Sequence, residues 1–455
     1  MTKRTLYIGA IILGPIVAFY GLLARETVNL PFMDDYGGVL GFVSDWSQLP
    51  TLHEKMLEPF VSQHNEYKLM FANVLYVLQY MVTGHINFAV LSAVGNLLML
   101  PIYFIIYGMW AGRNGGTKER LLLFAPVSWL LFQFQYYSLL NWPMSSLQHI
   151  AVLLFSLLTI YLLSKDELWA FYLSLSSLLL AIGSSGNGFF LVPVACLMLG
   201  QFRRPARILC LLCASATMFA FYLYRYNFNS SQAHADHSII SSLHHISPLY
   251  ALSFLGASIA TYKSYMPASI LGACIFAVFV YSIYDKYYSR NPAVFYSIFF
   301  ILITSLAVSG LRSDLGIAQS LVSRYRIYSN LMLVFVYLYA SERLQTVGAT
   351  HKQNYYHLIR SPLAVAIAIG AILFNLGSNY AGFNLLRART ELTTQGINRF
   401  EMGEQSITTA DGPTNEDPVI RRQRLSGNYE PQAQFLRRAE SLNIYAPPRD
   451  LLTNP

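Results

Sequence analysis

Residues 6–23 read LYIGAIILGPIVAFYGLL, and about ten residues later residues 33–37 read MDDYG. The first stretch carries no charge and comes close to the ~20 apolar residues a helix needs to cross a bilayer. The second places two carboxylates, Asp34 and Asp35, just beyond the end of that span. The same polar loop continues to Gln63-His64-Asn65-Glu66-Tyr67-Lys68, after which the chain turns apolar again. The span sets the fold class. Ionisable groups held at a membrane face are costly and mark function, so the loop sets the question of chemistry.

Composition agrees with the span. The chain has 455 residues, of which 54% are hydrophobic and 12% charged, against about 25% charged in soluble domains. Tyr and Phe are abundant, at 32 and 29 residues, which suits interfacial belts and contacts with sugars or lipids. The net charge of +8 is not a nucleic-acid signature. Its Lys and Arg fall in short clusters between apolar segments: Arg113 to Arg120, Arg203-Arg204-Pro205-Ala206-Arg207 and Arg343 to Lys352. That is how cytoplasmic loops look under the positive-inside rule. The four cysteines, Cys196, Cys210, Cys213 and Cys274, lie in apolar segments, so no disulfide framework is expected. Met1-Thr2-Lys3-Arg4 ahead of an apolar run lacks a small-x-small cleavage site and reads as an uncleaved first helix with its N-terminus inside.

Apolar runs at roughly 6–23, 69–83, 87–110, 121–137, 147–163, 169–183, 189–200, 208–224, 250–261, 268–284, 293–309, 326–341 and 362–378 predict an all-α, polytopic transmembrane helical bundle of about 11–13 spans. The runs at 69–83, 189–200 and 250–261 are short enough to be tilted, broken or re-entrant. The basic loops 111–120, 201–207, 285–290 and 342–360 agree as cytoplasmic if 69–110 and 250–284 each cross once. Segments 24–68, 138–146, 184–188, 225–249, 310–325 and 379–455 then face outside. The expected organisation is a transmembrane domain over 1–378 and a small soluble extracytoplasmic tail over 379–455. Within that tail, Leu436 to Tyr445 reads as a short helix running into Ala446-Pro447-Pro448.

The outside segments hold the candidate groups. Asp34 and Asp35 read as catalytic or metal-binding carboxylates, or as caps of an interfacial helix after Pro31. His64 and Glu66 read as substrate-binding groups or ordinary loop polars. Gln133, Gln135, Tyr136, Tyr137, Asn141 and Trp142 form an aromatic–amide cluster. Ser184-Ser185-Gly186-Asn187-Gly188 reads as a turn. His234, His237, His244 and His245 lack a ligand framework beyond Asp236 and read as a solvated loop. Arg312, Arg324 and Arg326 sit on the non-cytoplasmic side against the charge rule, which points to an anion; snorkelling at a span end is the plainer alternative.

The inside N-terminus, the acidic pair after the first span, the H-x-E-x-K stretch at residues 64–68 and the later Ser323-Arg324-Tyr325 together resemble the GT-C superfamily. These are polytopic glycosyltransferases that use polyprenyl-phosphate sugars, among them protein mannosyltransferases and lipid A aminoarabinose transferases. The resemblance is carried mainly by residues 1–110. It implies that Asp34-Asp35 matches the first-loop acidic motif that holds the catalytic carboxylate. The H-P-P-L stretch of the mannosyltransferases and the W-W-D signature of oligosaccharyltransferases are absent, so protein N-glycosylation is not implied.

On that resemblance the expected activity is transfer of a hexosyl or pentosyl group from a polyprenyl-phosphate donor to a glycan, lipid or protein acceptor. The expected place is the extracytoplasmic face of a bacterial inner or plasma membrane. An acceptor hydroxyl loses its proton as it attacks the anomeric carbon, and a carboxylate in reach takes it. The expected base is Asp34, with Asp35 as runner-up or metal partner. Arg324, then Arg312 and Lys68, would bind the donor phosphate. His64, Glu66, Tyr325 and Trp142 would line the substrate site. The one cofactor the resemblance leaves open is a divalent cation, Mg or Mn, on Asp34 and Asp35; no nucleic acid partner is expected. The alternatives are a lipid-linked oligosaccharide polymerase or ligase, a transporter or flippase of a lipid-linked glycan, and a non-catalytic scaffold.

Overall fold

A computed structural model describes residues 3–110, 117–228, 246–260, 264–350, 362–401 and 430–448. Among these residues the structure is helical, with no strand and one isolated bridge between His64 and Tyr67. Among the described residues seven helices are long and apolar enough to cross a membrane: Tyr7–Glu26, Phe88–Trp110, Pro143–Leu163, Pro205–Leu223, Met266–Tyr284, Pro292–Leu315 and Ala366–Asn398. Three shorter apolar helices accompany them, Met70–Thr83, Leu168–Ser184 and Gly186–Gln201. The protein is an all-α, multi-pass membrane protein.

Local sequence explains where these helices begin and end. Proline occupies the first turn of Pro143–Leu163, Pro205–Leu223 and Pro292–Arg312, where its missing N–H costs nothing. Asn87 caps Phe88–Leu97 by accepting the Val90 N–H at 3.1 Å, and Asn291 caps Pro292–Arg312 through the Val294 N–H. Gly84, at φ 74°, closes Met70–Thr83 in the left-handed region that glycine enters without strain. The last long helix runs from Pro362 to Glu401, well past the apolar run that ends at 378.

The chain divides into two compact units. Unit 1 comprises Met1–Arg25, Leu100–Tyr137 and His245–Asn384; unit 2 comprises Glu26–Met99, Ser138–His244 and Leu385–Pro455. Unit 1 is bound by buried polar clasps as well as by apolar packing. The Glu342 carboxylate accepts from the Tyr287 hydroxyl at 3.0 Å and the Asn291 amide at 2.7 Å. The Gln135 amide donates to Asn330 at 2.9 Å, and Asn379 accepts the Phe134 N–H at 2.7 Å. Glu342, Asn291, Gln135 and Asn330 are buried and Asn379 partly so, and each has a partner, as an apolar interior demands.

Unit 2 has a core that gathers Leu30, Tyr36, Val39, Val43, Trp46, Tyr76, Phe88, Leu91, Trp142 and Leu147 with Leu436, Ala439, Ile444 and Tyr445 from the end of the chain. The loop after the first span is therefore folded. It forms a π-helical turn Tyr36–Gly41, then helices Phe42–Ser47 and Leu52–Val61. The latter opens with a capping box between Thr51 and Glu54. The C-terminal helix Glu430–Ser441 covers the expected segment Leu436 to Tyr445 in part and begins earlier. It is tied to the loop region by Ile86 N–H to Ile444 C=O at 2.7 Å and by Tyr445 O–H to Asn29 C=O at 2.8 Å.

Candidate functional site

The acidic pair is shaped by its backbone. Met33 takes φ 51°, an uncommon left-handed conformation for a residue with a side chain, and the chain then winds directly into the turn Tyr36–Gly41. Asp35 becomes fully buried while Asp34 stays half-exposed. Two adjacent residues of one type thus occupy different environments.

The two Asp35 oxygens are both engaged. Oδ2 accepts the Phe32 N–H at 2.9 Å, and Oδ1 accepts the Met144 N–H at 3.0 Å. Met144 lies in the first turn of Pro143–Leu163, whose own N-cap residue, Trp142, supplies no side-chain cap. Asp35 therefore caps that helix from a distant part of the sequence, with its oxygens set at the positive end of the helix dipole. Burial pushes its carboxyl up to about 8, and the neighbouring Asp34 adds to the rise. The two N–H donors and Arg389 oppose it.

Arg389 escaped the sequence reading. It lies on the extension of the last helix beyond 378, is buried, and places its guanidinium 3.4 Å from the centroid of the Phe32 ring. Phe32 in turn meets Trp142 edge-on at 5.7 Å. A signal was present: Leu386, Arg389, Thr393 and Ile397 share one helical face, on which Leu386, Arg389 and Ile397 are buried. An Arg at such a position calls for an anion or an aromatic partner.

Around the pair the loop is packed against glycine. An added Cβ on Gly38 would come within 2.6 Å of the Met144 sulfur and 3.4 Å of His64 Nδ1. His64 therefore lies against the turn that follows the acidic pair, as its place in the same loop suggested. The bonds His64 N–H to Tyr67 C=O at 2.8 Å and Tyr67 N–H to His64 C=O at 3.0 Å close a tight turn, with Asn65 at φ 50°. Three buried polar atoms of this region have no hydrogen-bond partner among the described residues: His64 Nε2, Tyr76 Oη and Ser145 Oγ. Ser145 follows Met144, and Tyr76 is close enough to Asp35 to feel its charge.

The other predicted residues divide between the units. Lys68 is fully buried in unit 2; its ammonium donates to the Tyr224 carbonyl and lies 5.9 Å from the centroid of the Tyr222 ring. Burial pushes the ammonium down and Glu58 pulls it back. The Glu66 carbonyl accepts from the Tyr226 hydroxyl at 3.1 Å. Trp142 is buried in the unit 2 core. Arg312, Arg324 and Tyr325 belong to unit 1, where all three act electrostatically on the buried Tyr250, and Arg324 lies 5.3 Å from the Tyr325 ring centroid. The histidines at 234, 237, 244 and 245 lie outside the described residues.

The residues do not fit a divalent cation. Both oxygens of Asp35 are taken by main-chain donors. Among the described residues there is no group of three or more His, Cys, Asp or Glu arranged to hold a metal. Compared with known proteins, the chain matches no family model, no curated protein and no solved structure.

Proposed function

We propose that the protein is an integral membrane glycosyltransferase that moves a sugar from a polyprenyl-phosphate donor to an extracytoplasmic acceptor. The observation that carries this reading is the division of labour within the acidic pair. Asp35 is committed to the backbone. Asp34 is half-exposed and beside it, and the structure gives it no side-chain hydrogen bond among the described residues. Nearby stand three buried polar atoms that want partners. Buried polar groups are almost always paired, so this set asks for a hydroxyl-rich ligand or ordered water.

In the proposed step the acceptor oxygen bonds to the anomeric carbon from the face opposite the donor phosphate. The bond from that carbon to the phosphate oxygen breaks, its electron pair leaves with the lipid phosphate, and Asp34 takes the acceptor proton. Asp35 holds the pair in register with the helix start. Within unit 1, Arg324 and Arg312 both act electrostatically on Tyr250, which gives that unit a paired cationic group of the kind that binds a phosphate. Lys68, which belongs to unit 2 with Asp34, is the further candidate for the phosphate; its ammonium donates to the Tyr224 carbonyl.

The test is transfer from a panel of labelled polyprenyl-phosphate hexoses and pentoses in membranes with matched expression. Asp34→Asn keeps the shape and removes the base, so transfer falls roughly 10²–10⁴-fold while donor binding persists. Turnover of Asp34→Asn at the wild-type rate would overturn the assignment.

A further inference from the structure

Unit 1 contains an apolar cavity of about 250 Å³. Its walls come from four helices: Ile11 on the first span, Pro126 and Trp129 on Thr117–Leu131, Tyr337 on Arg326–Thr350, and Ala368 and Ile372 on the last long helix. Pro126 lies inside its helix, where a proline removes a backbone hydrogen bond and crowds the preceding turn. That loosens packing at this level of the bundle.

Among the described residues no charged side chain lines the cavity. The polar side chains on its wall are already satisfied within the protein. The Trp129 indole N–H donates to the Ile11 carbonyl at 2.9 Å, the Tyr337 hydroxyl to the Leu123 carbonyl, and the Ser341 hydroxyl to the Leu338 carbonyl at 2.8 Å. An occupant gains no hydrogen bond there, so it is apolar. Two of the wall helices are also among the three spans most open to their surroundings. Only 22% of the first span and 17% of the last are buried inside the protein, so their remaining surface meets lipid. A void of this size left empty forfeits the dispersion contacts of its whole lining. The apolar material that surrounds these helices is hydrocarbon chain.

We infer that this cavity is a binding site for one acyl chain of a bilayer phospholipid. The uncharged lining excludes a head group, so the lipid enters by its chain. The site lies wholly within unit 1 and does not depend on the proposed activity.

Trp129 reports on the occupant directly. The full-length protein is reconstituted in vesicles of phosphatidylcholine with brominated acyl chains, and the emission of Trp129→Phe is subtracted from that of wild type. The Trp129 component is quenched. Ala368→Phe and Ile372→Phe each cut that quenching roughly twofold or more, because a ring in a close-packed wall takes the space of the chain. Leu373→Phe, on the exposed side of the same helix, leaves it unchanged. Helical circular dichroism and a single gel-filtration peak identify folded variants, and the two filling positions back each other. An unquenched Trp129 component, or equal quenching in wild type and both filled variants, overturns the site. Relief of quenching by added unbrominated polyprenyl phosphate at one equivalent would assign the cavity to that lipid and overturn its assignment to the phospholipid.

Discussion

Asp34 and Asp35 are adjacent and chemically identical, yet their surroundings assign them different work. The separation comes from the left-handed Met33, which turns Asp35 inward onto the Phe32 and Met144 amides. A carboxyl in that position has a pH signature. Its folded value, about 8, lies above the ordinary 3.8, so the unfolded chain releases this proton first. Stability from the group is full below about 4 and is lost as pH rises toward 8. Wild-type thermal stability in detergent should therefore fall across that window relative to Asp35→Asn, which cannot ionise. Asn has one acceptor oxygen for two N–H donors, so it should also be less stable than wild type at low pH by about 1–3 kcal/mol. Parallel pH profiles for the two proteins would show that Asp35 does not titrate as described. The pair was legible in the sequence because two adjacent acids just beyond an apolar span stand out. The capping option was legible too, but its target was not: Met144 lies 109 positions away, and no local pattern encodes such a contact.

The C-terminal helix shows what can be read at the scale of an element. Its existence follows from Leu436 to Tyr445 and the prolines after it. Its role does not, because its partners belong to the first loop. An added Cβ on Gly41 would sit 2.8 Å from the Phe435 ring, and one on Gly37 3.4 Å from it. Arg438 pairs with Asp45 at 2.6 Å, with both side chains well exposed, so this ion pair adds little and the ring carries the contact. Gly41 has ordinary right-handed helical dihedrals, φ −59° and ψ −51°, so alanine there is disfavoured only by the ring. Gly41→Ala and Phe435→Ala should each destabilise unit 2, the second by up to about 3 kcal/mol. The double variant should lose less than the sum, since removing the ring makes room for the methyl group. Additive losses in thermal unfolding would mean that the two positions do not touch. The last long helix teaches the converse. Hydropathy ends its apolar run at 378, yet the helix reaches Glu401, because beyond that point a single buried face replaces all-round hydrophobicity.

At the scale of the molecule, the charge pattern predicts a topology, and the helix lengths fit it at the two stretches where parity was open. Within 69–110 the helix long enough to cross is Phe88–Trp110, and among the described residues of 250–284 it is Met266–Tyr284. These are the two stretches that must each cross once if every basic loop is cytoplasmic. Unit 2 supplies further links. Arg204 forms an ion pair with Asp166, and Arg207 donates to the Asp166 carbonyl at 2.8 Å, so the turn after Pro143–Leu163 and the basic loop before Pro205 share a side. The C-terminal helix packs on the first loop, so those two share a side as well. The topology predicts that the second pair lies outside and the first inside. Single cysteines are introduced as His53→Cys, Glu167→Cys and Ser441→Cys, all at exposed positions, in a background with Cys196, Cys210, Cys213 and Cys274 changed to Ala. In intact cells an impermeant maleimide should label the His53 and Ser441 variants and spare the Glu167 variant until the cells are opened. Labelling of His53→Cys only in broken cells would put Asp34 on the cytoplasmic side. An acceptor outside the membrane could not then reach it, and the proposed transfer reaction would have to be abandoned. If His53→Cys and Ser441→Cys reacted from opposite sides, the packing of the tail on the first loop would be wrong instead.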